Sequence, residues 1–213
     1  MLADGATVSV TGTRPEGKGP AGCAYHAVDF FDQTATAAFV EEIRQREFDV
    51  LINNAGINKI APFAEIDLAD FERIQAVNVT AAFQLCQAVL PGMKRKQWGR
   101  IVNVSSIFGK IGKELRGSYA ASKFALDGLT AALAAEVAVD GILANCVAPG
   151  FVDTELTRSI LGDEGIKNLV ARVPIGRLAK PEEIAAFVAW LAGPENTFIS
   201  GQNIAIDGGF TRV

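Results

Sequence analysis

The run Arg100-Ile101-Val102-Asn103-Val104-Ser105-Ser106, followed after a glycine-bounded loop by Tyr119-Ala120-Ala121-Ser122-Lys123, decides the fold. A continuous apolar run that stops on two serines reads as a strand buried on both faces. The alanine-rich segment behind it, residues 119–139, reads as the helix that carries the chain back across a sheet. Toward the C-terminus the pattern repeats. Residues 143–148 form a strand broken by Pro149-Gly150, residues 181–192 a helix opening on Pro181, and residues 203–206 a last strand. Residues 109–117 and 153–174 read as loops. Toward the N-terminus lies a long helical pattern at 67–96, opened by Asp67 and Asp70, and before it a strand at 50–52 that stops on Asn53-Asn54-Ala55-Gly56. A helix at 35–46 precedes that strand. Further upstream are β-rich segments at 25–28 and 6–10, separated by a Gly/Pro-rich loop at 16–21. This alternation predicts an α/β chain with a doubly wound parallel sheet in a single domain spanning residues 1–213.

Composition narrows the function classes. The chain has 213 residues, of which 49% are hydrophobic, and 24 acids against 20 bases give a net charge of -4. No basic stripe with interleaved aromatics supports nucleic-acid binding, and Lys94-Arg95-Lys96 reads as a solvated helix end. Three scattered cysteines and a single histidine offer no ligand spacing, so no metal site is expected, and free thiols fit a reducing cytoplasm. Neither a signal peptide nor a long apolar membrane span is present in the sequence, which points to a soluble cytoplasmic protein.

The chemistry concentrates just after the strands, at the edge where open α/β sheets hold ligands. Asn53-Asn54-Ala55-Gly56, Ser105-Ser106 and Pro149-Gly150-Phe151-Val152-Asp153-Thr154 all fall there. Tyr119 and Lys123 lie one helical turn apart, so their side chains share a face. A free phenol, with a pKa of about 10, shuttles protons poorly at neutral pH. A nearby ammonium stabilises the phenolate and lowers that value, giving an acid for a developing alkoxide or a base for an alcohol. The Tyr-x-x-x-Lys spacing alone is common in helices. It gains weight here because the chain has only two tyrosines and Ser106 closes the strand before it.

Taken in order, Asn53-Asn54-Ala55-Gly56, Asn78, Ser106, Tyr119-Ala120-Ala121-Ser122-Lys123 and Pro149-Gly150 resemble the short-chain dehydrogenase/reductase family. The tail Ser200-Gly201-Gln202 through Asp207-Gly208-Gly209 resembles that family's last strand, and the spacing is most similar to its 3-oxoacyl-[acyl-carrier-protein] reductase branch. The resemblance implies a Rossmann-like oxidoreductase that moves a hydride between NADP(H) and a carbonyl or alcohol. In it Tyr119 is the general acid or base, Lys123 tunes it and holds the nicotinamide ribose, and Ser106 holds the substrate oxygen. Asn78 holds a water that links Lys123 to solvent. On the cofactor, Asn54, Ala55 and Gly56 meet the adenosine ribose, while Asp29 and Phe30 flank the adenine. Val152 and Thr154, beside Pro149 and Gly150, meet the carboxamide. Asn53 reads as structural, Ser105 as a neighbour of the catalytic serine, and Asp29 equally as the start of a turn. After the first strand stand Gly12-Thr13-Arg14, with no acid before Glu16. Arg14 pairing with a 2′-phosphate favours NADP(H) over NAD(H); simple solvation of Arg14 is the competing reading.

One departure is plain. The family opens with a strand, a Thr-Gly-x-x-x-Gly-x-Gly turn and a helix, a unit of about 30 residues, and the sequence does not contain it. The strand would lie mid-sheet and the turn would cradle the pyrophosphate. The expectation is therefore an N-terminally truncated version of the fold, with Met1 an internal methionine and residues 6–10 deprived of a neighbour. An active NADP(H)-dependent enzyme and a non-catalytic oligomerising scaffold follow as alternatives. The resemblance also implies a homo-oligomer, dimer or homotetramer, built on helices 67–96 and 119–139. The loop at 153–174, with Leu156, Ile160, Leu161, Ile166 and Leu169, should cover a small-molecule substrate or a carrier-bound acyl group. Lys110, Lys113 and Arg116 near the mouth read as solvated charges, with docking of an anionic carrier as the alternative.

Overall fold

The structure is a computed structural model that describes residues 1–212, apart from the side chains of Leu156 and Ile160. Its strands are β1 (Val8–Gly12), β2 (Cys23–Ala27), β3 (Val50–Asn53), β4 (Gly99–Val104), β5 (Ile142–Pro149) and β6 (Asn203–Ile206). Between them run α1 (Gln33–Arg44), α2 (Leu68–Gln75), α3 (Ala81–Lys96), α4 (Gly117–Val137), α5 (Glu155–Val170) and α6 (Pro181–Leu191). Every strand pairing is parallel, in the order β3-β4-β5-β6, with β1-β2 apart.

Alternation along β4 and β5 builds two core layers. Ile101, Ile142 and Ala144 face Phe39, Val40, Leu85, Val89 and Met93 from α1 and α3. Val102 and Val147 face the other way, onto Val188 and Leu191 of α6, with Ile204 and Ile206 of β6. Helices on both faces explain why these strands read as unbroken apolar runs.

Among the described residues, β1 pairs only with β2 and β3 only with β4, so the sheet is interrupted where the sequence lacks a strand. β1 does not shift or pair elsewhere. It keeps its register with β2, Val8 opposite Cys23 through Gly12 opposite Ala27. The small sheet is anchored instead through α1, whose Phe39, Val40 and Ile43 join Val28 and the α3 residues Leu85, Ala88 and Val89 in one cluster. The loop between β1 and β2 wraps over Tyr25, whose hydroxyl donates to the Arg14 carbonyl at 2.8 Å. A Cβ on Gly17 would lie 2.2 Å from that hydroxyl, which is why glycine stands there.

Several boundaries move for identifiable reasons. α1 starts at Gln33, ahead of residue 35, because the Asp32 carboxylate caps it, accepting from the Thr34 and Ala35 amides. Asp67 caps α2 in the same way, accepting from Ala69 at 2.7 Å. The single helix expected over 67–96 carries a π-helical turn at Ala76–Thr80, between α2 and α3. The loop expected over 153–174 is corrected to the helix α5, capped by Thr154 and kinked at Gly162, where φ is 60°. Leu161, Ile166 and Leu169 belong to that helix, whereas the reading of Leu156 and Ile160 as lining side chains lies outside the described residues.

Candidate active site

The carboxyl ends of β3, β4 and β5 meet over the start of α4. A buried amide ladder fixes their spacing. The Asn53 side-chain amide donates to Asn103 Oδ1 at 2.8 Å, and Asn103 Nδ2 donates to the Thr130 hydroxyl at 2.8 Å. That hydroxyl donates in turn to the Leu126 carbonyl at 2.6 Å. Asn103 is wholly buried, so each bond replaces one with water that the site cannot offer. Asn53 thus ties β3 to β4, the structural role read for it.

Asn78 sits in the π-helical turn, 1% exposed. Its side chain accepts from the Ile57 amide at 2.8 Å and donates to the Ile57 carbonyl and the Ser122 hydroxyl, both at 3.0 Å. Bulges of this kind re-aim a side chain out of the helical ladder. Here the result is a clamp between the strand-end loop 54–57 and α4. Ser122, which the sequence reading did not single out, is its third partner.

Lys123 is 3% exposed, and its ammonium donates to the Val104 carbonyl at 2.8 Å. Burial lowers its pKa from the ordinary 10.5 to about 8. Ser105 fastens the helix at the same place, its hydroxyl donating to the Lys123 carbonyl at 3.1 Å. Ser106, two residues past β4, caps the short turn 107–109 and accepts from the Phe108 amide at 3.2 Å. Burial pushes the Tyr119 phenol above its ordinary value; its hydrogen bond with Ser106 and then the positive charge of Arg116 pull the other way. The ammonium of Lys123, the residue expected to tune the phenol, lies 5.6 Å from the Tyr119 ring centre and donates to the Val104 carbonyl. Arg116 itself is partly buried, which lowers its own pKa, and it precedes α4 by one residue.

The residues assigned to a dinucleotide fall into two groups. Asn54, Ala55 and Gly56 are exposed at the mouth. A Cβ on Gly56 would stand 3.4 Å from the Lys123 ammonium and 3.5 Å from the Asn78 oxygen, so only backbone separates this loop from the buried cation. Gly150 donates to the Ile206 carbonyl just beyond Pro149, and a Cβ there would collide with Asp207 at 2.8 Å. Val152 bridges to Ala179, and the exposed Thr154 accepts from the Thr157 amide at 3.1 Å. The second group lies across the interruption, on the small sheet. Thr13 and Arg14 are exposed, and the Arg14 guanidinium makes no ion pair among the described residues. Asp29 accepts from the Phe31 amide at 3.0 Å, the turn allowed for in its alternative reading. The Phe30 ring packs on Phe39, 6.1 Å between centres, so it is committed to the core.

A family model described as enoyl-(acyl carrier protein) reductase matches residues 2–211. The chain belongs to the short-chain dehydrogenase/reductase family. Within that family it is 39% identical over 179 residues to the acetoacetyl-CoA reductase of Cupriavidus necator, covering 84% of this chain and 72% of that one. It is 42% identical over 165 residues to the 3-oxoacyl-[acyl-carrier-protein] reductase FabG of Vibrio cholerae, covering 78% of this chain and 67% of that one. In structure it is similar to a gluconate 5-dehydrogenase from Burkholderia cenocepacia in complex with NADP and tartrate. The TM-score is 0.89 at 29% identity, over 98% of this chain and 86% of the other. In this short-chain dehydrogenase/reductase Asn78, Ser106, Tyr119 and Lys123 lie together at one strand edge; Arg116, read as a solvated charge at the mouth, acts on Tyr119, and the Asn78–Ser122 bond had no signal in the sequence.

Proposed function

We propose that this chain interconverts a carbonyl and an alcohol with NADP(H), and that Tyr119 moves the proton. The observation that carries the reading is the buried Lys123 ammonium, held on the Val104 carbonyl 5.6 Å from the Tyr119 ring centre, beneath the strand-end loop that ends on Gly56. NADP(H), when bound, supplies or takes up the hydride. The Ser106 hydroxyl holds the substrate oxygen, and the Tyr119 O–H gives its proton to that oxygen as negative charge develops. Lys123, with a pKa near 8, is charged at neutral pH and holds the ribose side of the cofactor, while Asn78 keeps loop 54–57 at the right height. Gly150, Val152 and Thr154 fit the carboxamide end, and the free Arg14 guanidinium favours the 2′-phosphate of NADP(H). The residues present fit the nicotinamide and ribose half. The Thr-Gly-x-x-x-Gly-x-Gly turn that would hold the pyrophosphate does not occur in the sequence.

The relatives act, by their names, on acyl thioesters and on a sugar acid, so the substrate class we assign is a small or carrier-bound carbonyl compound. Phe83 on α3 and Phe124 on α4 are 44% and 46% exposed, which supports assembly with further copies through those helices. A second reading, a non-catalytic oligomerising scaffold, is favoured by one observation: the unpaired edges of β1 and β3 on the cofactor side.

NADPH titration followed by ketone-dependent NADPH oxidation separates the two. Saturable binding and turnover that falls by about 10²–10⁴-fold in Tyr119→Phe support the enzyme. Turnover unchanged in that variant removes Tyr119 from its role. Absence of NADPH binding leaves the scaffold reading standing.

A further inference from the structure

Beyond Ser106 the chain builds a second feature that none of the assigned residues uses. A cavity of about 400 Å³ is lined by Ile111, Arg172, Phe210 and Thr211. It is joined to the catalytic serine by an aromatic row. The Phe108 amide donates to Ser106, the Phe108 ring meets Phe151 edge-on at 6.1 Å, and Phe151 meets Phe210 at 5.0 Å. The cavity therefore lies two ring contacts from Phe108, whose amide is bonded to the serine that would hold a carbonyl oxygen. Its volume is in the range of small-molecule sites.

The lining combines an isoleucine, an aromatic face, a hydroxyl and a guanidinium. The guanidinium carbon lies 5.8 Å from the Phe210 ring centre, a stacking that holds it in place. Arg172 makes no ion pair among the described residues. The acid that feels its charge, Glu114, is already paired with Lys113. Three other arginines do have acid partners: Arg95 with Glu47, Arg158 with Asp153 and Arg177 with Glu183. The loop lysines that would make a docking patch for an acidic protein are also spent, Lys110 on the Asn203 carbonyl and Lys113 on Glu114. What remains in the cavity is a guanidinium with no acid partner among the described residues, beside an apolar lining, and a guanidinium pairs best with a carboxylate.

We infer that this cavity is the distal subsite for the substrate, and that it takes an apolar chain ending in a carboxylate, bound by Arg172. The inference deepens the carbonyl-reductase reading and rests on it. The substrate is then a free oxo acid, its ketone at Ser106 and Tyr119 and its carboxylate at Arg172.

Calorimetric titration of the full chain with 7-oxooctanoate and with its methyl ester tests this. We expect the acid to bind at least about tenfold more tightly than the ester, as a charge-assisted bidentate contact requires. Arg172→Gln should bring the acid to the ester's affinity and leave the ester unchanged, and Arg172→Lys should fall between them. Equal affinities in the unaltered chain overturn the proposal, as does a preference that survives Arg172→Gln or binding of neither compound. If Arg172→Gln weakens acid and ester alike, the residue is only structural and the proposal is again overturned. The reading beneath it fails separately. A carboxylate preference that tracks Arg172, with no NADPH oxidation by either ketone, would leave the cavity assignment intact and remove the reductase.

Discussion

The four-stranded sheet and the two-stranded sheet are made of similar residues and differ in what covers them. β4 and β5 are flanked by strands on both sides and by helices on both faces, and Ile101, Ile142, Ala144, Cys146, Val147 and Ala148 are wholly buried. β1 has one neighbour, and none of its residues is fully buried. An apolar strand contributes through the surface it removes from water, so the same valine is worth much more in β5 than in β1. The difference also divides the labour of the site. The proton-handling groups stand on the dense sheet, which can hold an ammonium and a phenol in fixed, dehydrated positions. The residues assigned to the far end of the dinucleotide, Thr13, Arg14, Asp29 and Phe30, stand on the thin one.

The comparison breaks first, if it is wrong, on core truncations. Ile142→Ala should destabilise the chain by about 2–5 kcal/mol, the cost of a buried aliphatic cavity. Val10→Ala, half-exposed in β1, should cost about 1 kcal/mol or less. Urea unfolding gives both numbers, and equal costs would mean that the small sheet is as firmly covered as the large one. Amide hydrogen exchange sharpens the same point, with β1 and β2 opening locally while β4 and β5 exchange only with global unfolding.

The division was partly legible in the sequence. Runs such as Ile101-Val102 and the strand at 143–148 announced a sheet covered on both faces, and the residues stopping each strand marked the site edge. The interruption was legible too, because the strand, turn and helix motif that would supply the mid-sheet strand is absent from the sequence. Helix α5 was not. Its apolar residues are interspersed with charges and Gly162 breaks the period, so the pattern looked like a loop. Nor was the source of the charge at Tyr119. Spacing placed Lys123 on the right face but was silent on the Val104 carbonyl that claims its ammonium. The aromatic row escaped for a related reason: Phe108, Phe151 and Phe210 come from three distant segments that only the fold brings together.

A second way to sharpen the comparison is pH. Lys123 is buried in the dense region, with its pKa lowered from 10.5 to about 8. Between those values the unfolded chain holds a proton that the folded chain has released, so Lys123 makes stability rise with pH through that window. At about 1.4 kcal/mol per unit, the full rise is about 3 kcal/mol. Two buried thiols act oppositely. Cys86 is pushed up to about 12 and Cys146 to about 11 from 9.0, so the unfolded chain loses those protons first and stability falls above pH 9. The Lys123 contribution is therefore read as the difference between the unaltered chain and Lys123→Met in urea unfolding at several pH values. That difference should grow from about pH 8 to about 10.5. A flat difference would mean that the ammonium reaches water and that the dense region is not dry at its functional end.

The smallest effect, and the most local, concerns Arg116. Its charge lowers the Tyr119 phenol against the push of burial, so removing it should raise that pKa further. Tyr25 and Tyr119 are the only tyrosines, and Tyr25→Phe leaves a single phenol whose ultraviolet titration reports Tyr119 alone. In that background Arg116→Gln should move the titration to higher pH, and Arg116→Lys should restore much of the original position. The same substitution at Arg14, exposed on the thin sheet, should not move it. If Arg116→Gln leaves the phenol where it was, the tuning of the proton donor comes from Ser106 alone. The site would then depend on a hydrogen bond at the end of β4 rather than on a cation at the start of α4.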